Sequence, residues 1–374
     1  MRGRVDRQQA MWFTIQPEDF VPADHPLRAI KKLVDAELVR LEPVFAKGYA
    51  GTGRRSVPPE RLIKASLLQA LYSIRSERQL CEQIHYNMLF RWFLDMKPDD
   101  VVFAPTTFTK NRDRFAEHGF MAKFFEGTVA QAIAEGAASE DHFSVDGTLI
   151  QSWASLKSFR PKDEDDDDRD SNGWADFKGR KRSNETHESK TDPEARLHRK
   201  GSGQEAKLSH SLHALVENRN GLVLAIEVEE ASGTAERRAA RAMLTRVREK
   251  LGLRPKTLAA DKGYDDGQFL HDVEFEHGAK PHVPTRDGPI KDKSHRGDAR
   301  RRARRRKRSL GYQLSEKKRR LVEQPFGWLK GVAGLRRTRF VERWKTRLCA
   351  EVSAAAFNLL RLAKLLQPEP AVAL

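Results

Sequence analysis

Residues 143–151 (FSVDGTLIQ) constrain this chain more than any other stretch, because an acidic residue stands alone inside an otherwise good β-strand. Phe143, Val145 and Leu149 alternate on one face, and Ser144, Asp146 and Thr148 on the other, the period-two pattern of a half-buried strand. A carboxylate kept in a central strand costs free energy unless it is paired, so Asp146 predicts something to hold, most often a metal ion. Taken alone, the same residues also read as an exposed aspartate before a turn helped by Gly147. The rest of the chain decides between the two.

Size and charge narrow the classes. A chain of 374 residues can bury a full core plus a smaller domain without needing metals or disulfides to fold. Lys and Arg total 69 against 53 Asp and Glu, a net charge of +16, and an excess of that size points to a polyanion, nucleic acid ahead of an anionic membrane surface. Cys81 and Cys349 have no partners at metal-ligand spacing and fit a reducing cytoplasm. The N-terminus lacks the apolar run of a signal peptide, and no stretch approaches the roughly 18 apolar residues of a membrane span. A soluble cytoplasmic protein, with no membrane partner, is expected.

Residues 1–135 read as an all-α domain. One helix is expected over 27–41, and a second opens at Pro58-Pro59, proline being well suited to a first helical turn. Ser76 with Gln79 forms a capping box for a third. Thr106 or Thr107 caps a further helix in which Phe108, Arg112 and Phe115 share a face, leaving Lys110, Asn111 and Arg114 outward. Short helices ending in one that displays such residues resemble a helix-turn-helix, which would place Lys110, Asn111 and Arg114 on DNA. The plain alternative is a small bundle with a solvated charged face.

Residues 136–366 read as an α/β domain. After the Asp146 strand comes a charged, apolar-poor insertion over 155–205, including DEDDDD at 163–168, expected to be a mobile surface loop. A hairpin follows, with strands at 208–216 and 222–228 around the turn 217–221, then a helix over 234–251. A short strand at 256–260 ends on Asp261, Asp265 is placed to cap the next helix, and 280–284 is a fifth strand. A basic linker is expected over 286–311. Its cations Arg301, Arg302, Arg304, Arg305, Arg306, Lys307 and Arg308 read as phosphate neutralisers rather than a solvated tail. Helices close the chain.

Three strands, a helix, a strand, a helix and another strand is the element order of an RNase H-like domain, a mixed five-stranded sheet with flanking helices. In that arrangement the first and fourth strands lie side by side, so Asp146 and Asp261 come together despite their separation in sequence. Two adjacent carboxylates repel unless a cation sits between them. The helix expected around 319–330 supplies a third acid. At about 100° per residue, Glu323 and Lys330 fall about 40° and 20° from Arg319, one side of a single helix bent near Pro325. A simple Arg319–Glu323 ion pair is the bland reading of that stripe.

These motifs together, the DGT strand, ALVENRNGLV, ADKGYD and VEQPFGWLK, resemble bacterial insertion-sequence DDE transposases of the IS-four and IS-five superfamily. The resemblance covers most of the chain. It implies a DNA transposase that binds the terminal inverted repeats of its element, cuts there, and joins the ends to target DNA. By position, Asp146, Asp261 and Glu323 match the catalytic acidic triad, which would hold two Mg2+ ions, with Mn2+ able to substitute. Arg319 and Lys330 match the basic residues that accompany the glutamate, whereas Glu316 stands where a tyrosine is expected. Double-stranded DNA, both element ends and target, is the implied partner, with a homo-oligomer assembled on it near the nucleoid. A structure-selective nuclease on the same fold, or a DNA-binding regulator without chemistry, are the competing functions.

Overall fold

The computed structural model describes residues 15–50, 52–53, 56–162, 183–199, 201 and 203–367. The acidic run 163–168 lies outside them. Among the described residues six α-helices come first: α1 (Leu27–Gly48), α2 (Pro59–Leu71), α3 (Glu77–Tyr86), α4 (Met88–Phe93), α5 (Thr106–Glu117) and α6 (Phe120–Ala134). Local chemistry starts several of them. Pro59 occupies the first turn of α2, and Ser76 Oγ accepts the Gln79 N–H at 3.1 Å to cap α3.

The strands are β1 (His142–Gln151), β2 (Phe159–Pro161), β3 (His187–Ser189), β4 (Arg196–His198), β5 (Lys207–Glu217), β6 (Val223–Glu230), β7 (Thr257–Ala259) and β8 (Lys280–His282). In the main sheet β6 pairs β5, β5 pairs β1, and all three run antiparallel, while β7 and β8 continue the sheet in parallel from β1. The spatial order β6-β5-β1-β7-β8 is the RNase H-like one expected from the sequence. A sixth strand comes from the insertion: β4 pairs the start of β5, so part of 155–205 is built into the sheet rather than mobile. Buried Asp192 ties it down, accepting Ser152 Oγ at 2.7 Å and lying 3.0 Å from His210 Nε2.

The hairpin between β5 and β6 is organised by one buried acid. Glu217 accepts backbone N–H groups of Arg219 (2.9 Å), Asn220 (2.6 Å) and Leu222 (3.2 Å), satisfying a turn that contains Gly221 at φ 69°.

The remaining helices are α7 (Ala235–Leu251), α8 (Gly267–Phe275), α9 (His295–Arg306), α10 (Leu310–Arg319), α11 (Glu323–Gly331) and α12 (Arg343–Leu365). Helix α7 covers β5 and β6 on one face; α10 crosses β1 and β7, and α12 lies on β6 and runs on beneath α1, α2 and α6. Asn358 of α12 bonds both the N–H and the carbonyl of Val223, at 2.9 and 2.7 Å, closing backbone groups at the outer edge of the sheet. Most buried apolar side chains of the helical region and of the sheet belong to one continuous core cluster, joined through α12. Arg339 adds a polar tie, donating to the Arg75 carbonyl and Gln69 Oε1, both at 2.8 Å. The helical region therefore packs against the sheet and its helices through a shared core.

Two sequence expectations fail here for identifiable reasons. The stretch 286–311 contains α9, whose Gly297, Ala299 and Ala303 are buried. Small residues at that spacing let an arginine-rich helix pack closely against α8, while its charges find partners within the fold. The other failure is the single helix over 319–330, which is broken: a 3-10 turn at Arg320–Val322 separates α10 from α11. Pro325 then sits in the first turn of α11, where its missing N–H costs little.

Candidate active site

Asp146 lies midway along β1, and Asp261 two residues beyond β7. The parallel register pairs Ser144 with Ala259, and continuing it by two residues sets Asp261 abreast of Asp146. Each carboxylate is oriented by its own backbone: Asp146 Oδ1 accepts the Gly147 N–H and Asp261 Oδ1 the Gly263 N–H, both at 2.8 Å. The remaining oxygens are left for other partners. Thr148, on the Asp146 face, accepts a hydrogen bond from Lys330 Nζ of α11. Arg319 at the end of α10 and Glu323 at the start of α11 also lie close enough to act on the Asp146 charge.

Burial pushes the Asp146 carboxyl above the ordinary carboxylate range, and Asp261 and Glu323 push it further, against the Gly147 N–H and Arg319, which lower it. A group in that position gains from a divalent cation. The structure also places a fourth acid here that the sequence reading missed. Glu236, in the first turn of α7, is raised by burial and then by Asp261 and Asp146. Its sequence signal was only its position, an acid opening the helix that follows the third strand. Tyr264, completely buried, feels Glu236, Asp146 and Asp261 and is held well above its usual range, first by burial.

None of Asp146, Asp261, Glu236 and Glu323 forms an ion pair among the described residues, in a chain with 69 Lys and Arg. Their donors are all oxygens, which suits a hard divalent cation. As they stand, no three of the described acids, histidines and cysteines converge tightly enough to hold an ion. Glu323 in particular is exposed. The donor chemistry and the Tyr264 hydroxyl, a buried donor without a partner among the described residues, fit a cation with its water.

The residues expected to meet DNA divide into two groups. Asn111 is 7% exposed and bonds the Thr107 carbonyl at 2.8 Å and the Tyr49 hydroxyl at 3.3 Å, so it faces the core and not a groove. Asn111 thus shares the buried face of α5 with Phe115, because residues four apart lie on one side of a helix. Arg114 stacks on the Tyr49 ring at 4.4 Å, and Lys110 is exposed. In the arginine run, Arg301 serves Asp298 and two carbonyls, Arg302 and Arg306 serve Glu274, Arg304 serves the Arg286 and Gly288 carbonyls, and Lys307 the Thr285 carbonyl. Arg305 and Arg308 are the exposed members. Asp266, not Asp265, caps α8, while Asp265 is held by Arg300.

A cavity of about 480 Å³ lies elsewhere, between α2, α5, α12 and the loop 331–340, and none of the four acids lines it.

The strand order is that of an RNase H-like domain, with Asp146 and Asp261 at its parallel half. The chain belongs to the transposase DDE domain family, whose model matches residues 172–359, and a second model, "Transposase domain (DUF772)", matches residues 15–114. It is a DNA transposase, of a family that cleaves and joins DNA with divalent metal ions. Asp261 and Glu323 fall inside the matched span, and Asp146 precedes it.

No curated protein matches the chain. Two solved structures show a loose likeness. The Mos1 strand transfer complex has a TM-score of 0.19 and 11% identity, covering 79% of this chain and 85% of that one. The Mos1 transposase paired-end complex with left transposon end has a TM-score of 0.21 and 10% identity, covering 81% and 88%. Among the described residues no helix is long and apolar enough to cross a membrane.

Proposed function

We propose that the protein is the transposase of an insertion sequence of the IS-four/IS-five kind. It binds the terminal inverted repeats of its element as double-stranded DNA, cuts there, and joins the 3′ ends to target DNA, with copies of the chain assembled on the ends near the nucleoid. The observation that carries this is the pair Asp146 and Asp261, abreast on parallel strands and without a cation partner among the described residues. Asp146, Asp261 and Glu323 would hold two Mg2+ ions, for which Mn2+ can substitute because both take oxygen ligands. When bound, such ions lower the pKa of an attacking water or 3′-hydroxyl and stabilise charge on phosphoryl oxygens.

The chain's own residues do the positioning. The Gly147 and Gly263 N–H groups hold one oxygen of each aspartate, which fixes the direction of the other. Lys330, bonded to Thr148 on the same face, and Arg319 stand where a phosphate approaching Asp146 would pass. Lys110, Arg305 and Arg308 are exposed cations suited to the DNA backbone.

The test is a labelled DNA fragment carrying the element's end, incubated with Mg2+ and target DNA. Cleavage followed by joining is the expected result. Cleavage without joining would make the protein a nuclease, and end binding without any cleavage in Mg2+ or Mn2+ would make it a regulator.

A further inference from the structure

Glu236 is outside the proposed triad, yet the chain makes room for it. Gly147 and Gly263 border its side chain. A Cβ on Gly263 would sit 3.0 Å from Glu236 Oε2 and 3.0 Å from Asp261 Oδ1. A Cβ on Gly147 would meet Glu236 Cγ at 3.6 Å and the buried His213 ring at 2.7 Å. Neither glycine has a positive φ, so space rather than backbone conformation is what each supplies. They are the glycines of the DGT and ADKGYD segments, whose aspartates are Asp146 and Asp261.

A partly buried carboxylate beside two others is expensive unless a cation offsets it. Among the described residues the Glu236 carboxylate has no hydrogen bond and no ion pair, although arginines are plentiful on its own helix. An independent observation points the same way. The Tyr264 ring is fully buried, its hydroxyl has no partner among the described residues, and the acidic charges acting on it are Glu236, Asp146 and Asp261. A buried donor set among three carboxylates calls for an oxygen the protein does not itself provide, such as water carried by a cation.

We infer that Glu236 is a fourth metal-holding carboxylate. Gly147 opens toward α7, and through that gap Glu236 joins the Asp146–Asp261 pair from the side opposite α10 and α11, where Glu323 stands. The central pair is thereby flanked by one glutamate on each side, which gives two divalent cations separate donor sets. The inference rests on Asp146 and Asp261 being the metal-holding pair.

The experiment measures Mn2+ binding to the full chain without DNA, by calorimetry and by water-proton relaxation, for the parent, Glu236→Gln, Asp146→Asn and Asp261→Asn. Circular dichroism checks that each is folded. Glu236→Gln is expected to lower Mn2+ affinity at least about tenfold or to remove one of two bound ions, and to raise the Mg2+ concentration needed for half-maximal cleavage by a similar factor. Parent-like Mn2+ binding by Glu236→Gln, with binding lost in Asp146→Asn, would overturn the role of Glu236 and leave the aspartate pair standing. Parent-like binding by all three variants would overturn the pair as well. If Glu236→Gln does not fold, Glu236→Asp keeps the charge but withdraws the oxygens; weakened Mn2+ binding supports the inference and undiminished binding overturns it.

Discussion

Replacing Asp265 with alanine should loosen α9 from the parallel end of the sheet without touching Asp146 or Asp261. Asp265 accepts Arg300 Nε at 2.9 Å and Nη2 at 2.8 Å, and the Arg286 N–H at 2.7 Å, with a side chain fully shielded from solvent while that of Arg300 is 27% exposed. Removing one partner of a buried pair costs about 3–5 kcal/mol. The exposed part of Arg300 regains water, which brings this to about 2 kcal/mol, and the Arg286 N–H left without its acceptor adds about 1 kcal/mol. The expected loss is therefore about 3 kcal/mol, read as faster amide hydrogen exchange over 286–306 and a lower denaturation midpoint. The double variant Asp265→Ala/Arg300→Ala should lose less than the sum of the two singles.

The pH dependence gives a second check on the same residue. Burial alone would raise the Asp265 pKa, but its bonds from Arg300 and the Arg286 N–H hold it below the ordinary carboxylate value. Its contribution to stability is present above the unfolded carboxylate pKa and is lost as pH falls through the folded one. Asp265→Ala should flatten the acid limb of the stability curve. A loss under about 0.5 kcal/mol, with α9 exchange unchanged, would refute the claim that this pair anchors the helix.

Other predictions concern the site and its surroundings. Asp146→Asn, Asp261→Asn and Glu323→Gln should each cut Mg2+-dependent cleavage by orders of magnitude while end binding in a gel-shift assay survives; undiminished cleavage by Glu323→Gln would remove it from the triad. Gly147→Ala sets a Cβ 2.7 Å from His213 Nδ1, so the His213 ring or β1 must shift, and where β1 moves Asp146 by close to 1 Å single-turnover cleavage should slow about 100-fold. Arg305→Ala and Arg308→Ala should reduce the salt dependence of DNA binding by about 0.9 log units for each phosphate no longer neutralised, whereas Arg302→Ala and Arg306→Ala should lower stability, because Glu274 holds them. His213 and His282 are each depressed to about 4, chiefly by burial. The unfolded chain then binds more protons below pH ~6.5, so stability should fall from there toward pH 4, and His282→Asn should make that slope shallower.

The sequence by itself determined what periodicity and local chemistry encode. Alternation along β1, β5 and β6 and the order of elements yielded the central sheet, since a strand's two faces are written residue by residue. Asp146 and Asp261 were legible for the same reason: an acid inside an apolar strand, or at the end of one, is locally anomalous. The tertiary structure decided how the charges were used. The run at 301–308 is basic in any reading, and only Glu274, brought alongside it, together with the carbonyls of 285–292, turns most of it into an internal lattice. Asn111 looks like a surface residue until Tyr49 and Thr107 are set beside it. Glu236 carries no local anomaly, since an acid in a first helical turn is ordinary. Its place beside Asp261 depends on how α7 lies across the sheet and on the missing side chains of Gly147 and Gly263. Partner choice among charges is a long-range property, set by which groups the fold desolvates together, and sequence spacing does not record it.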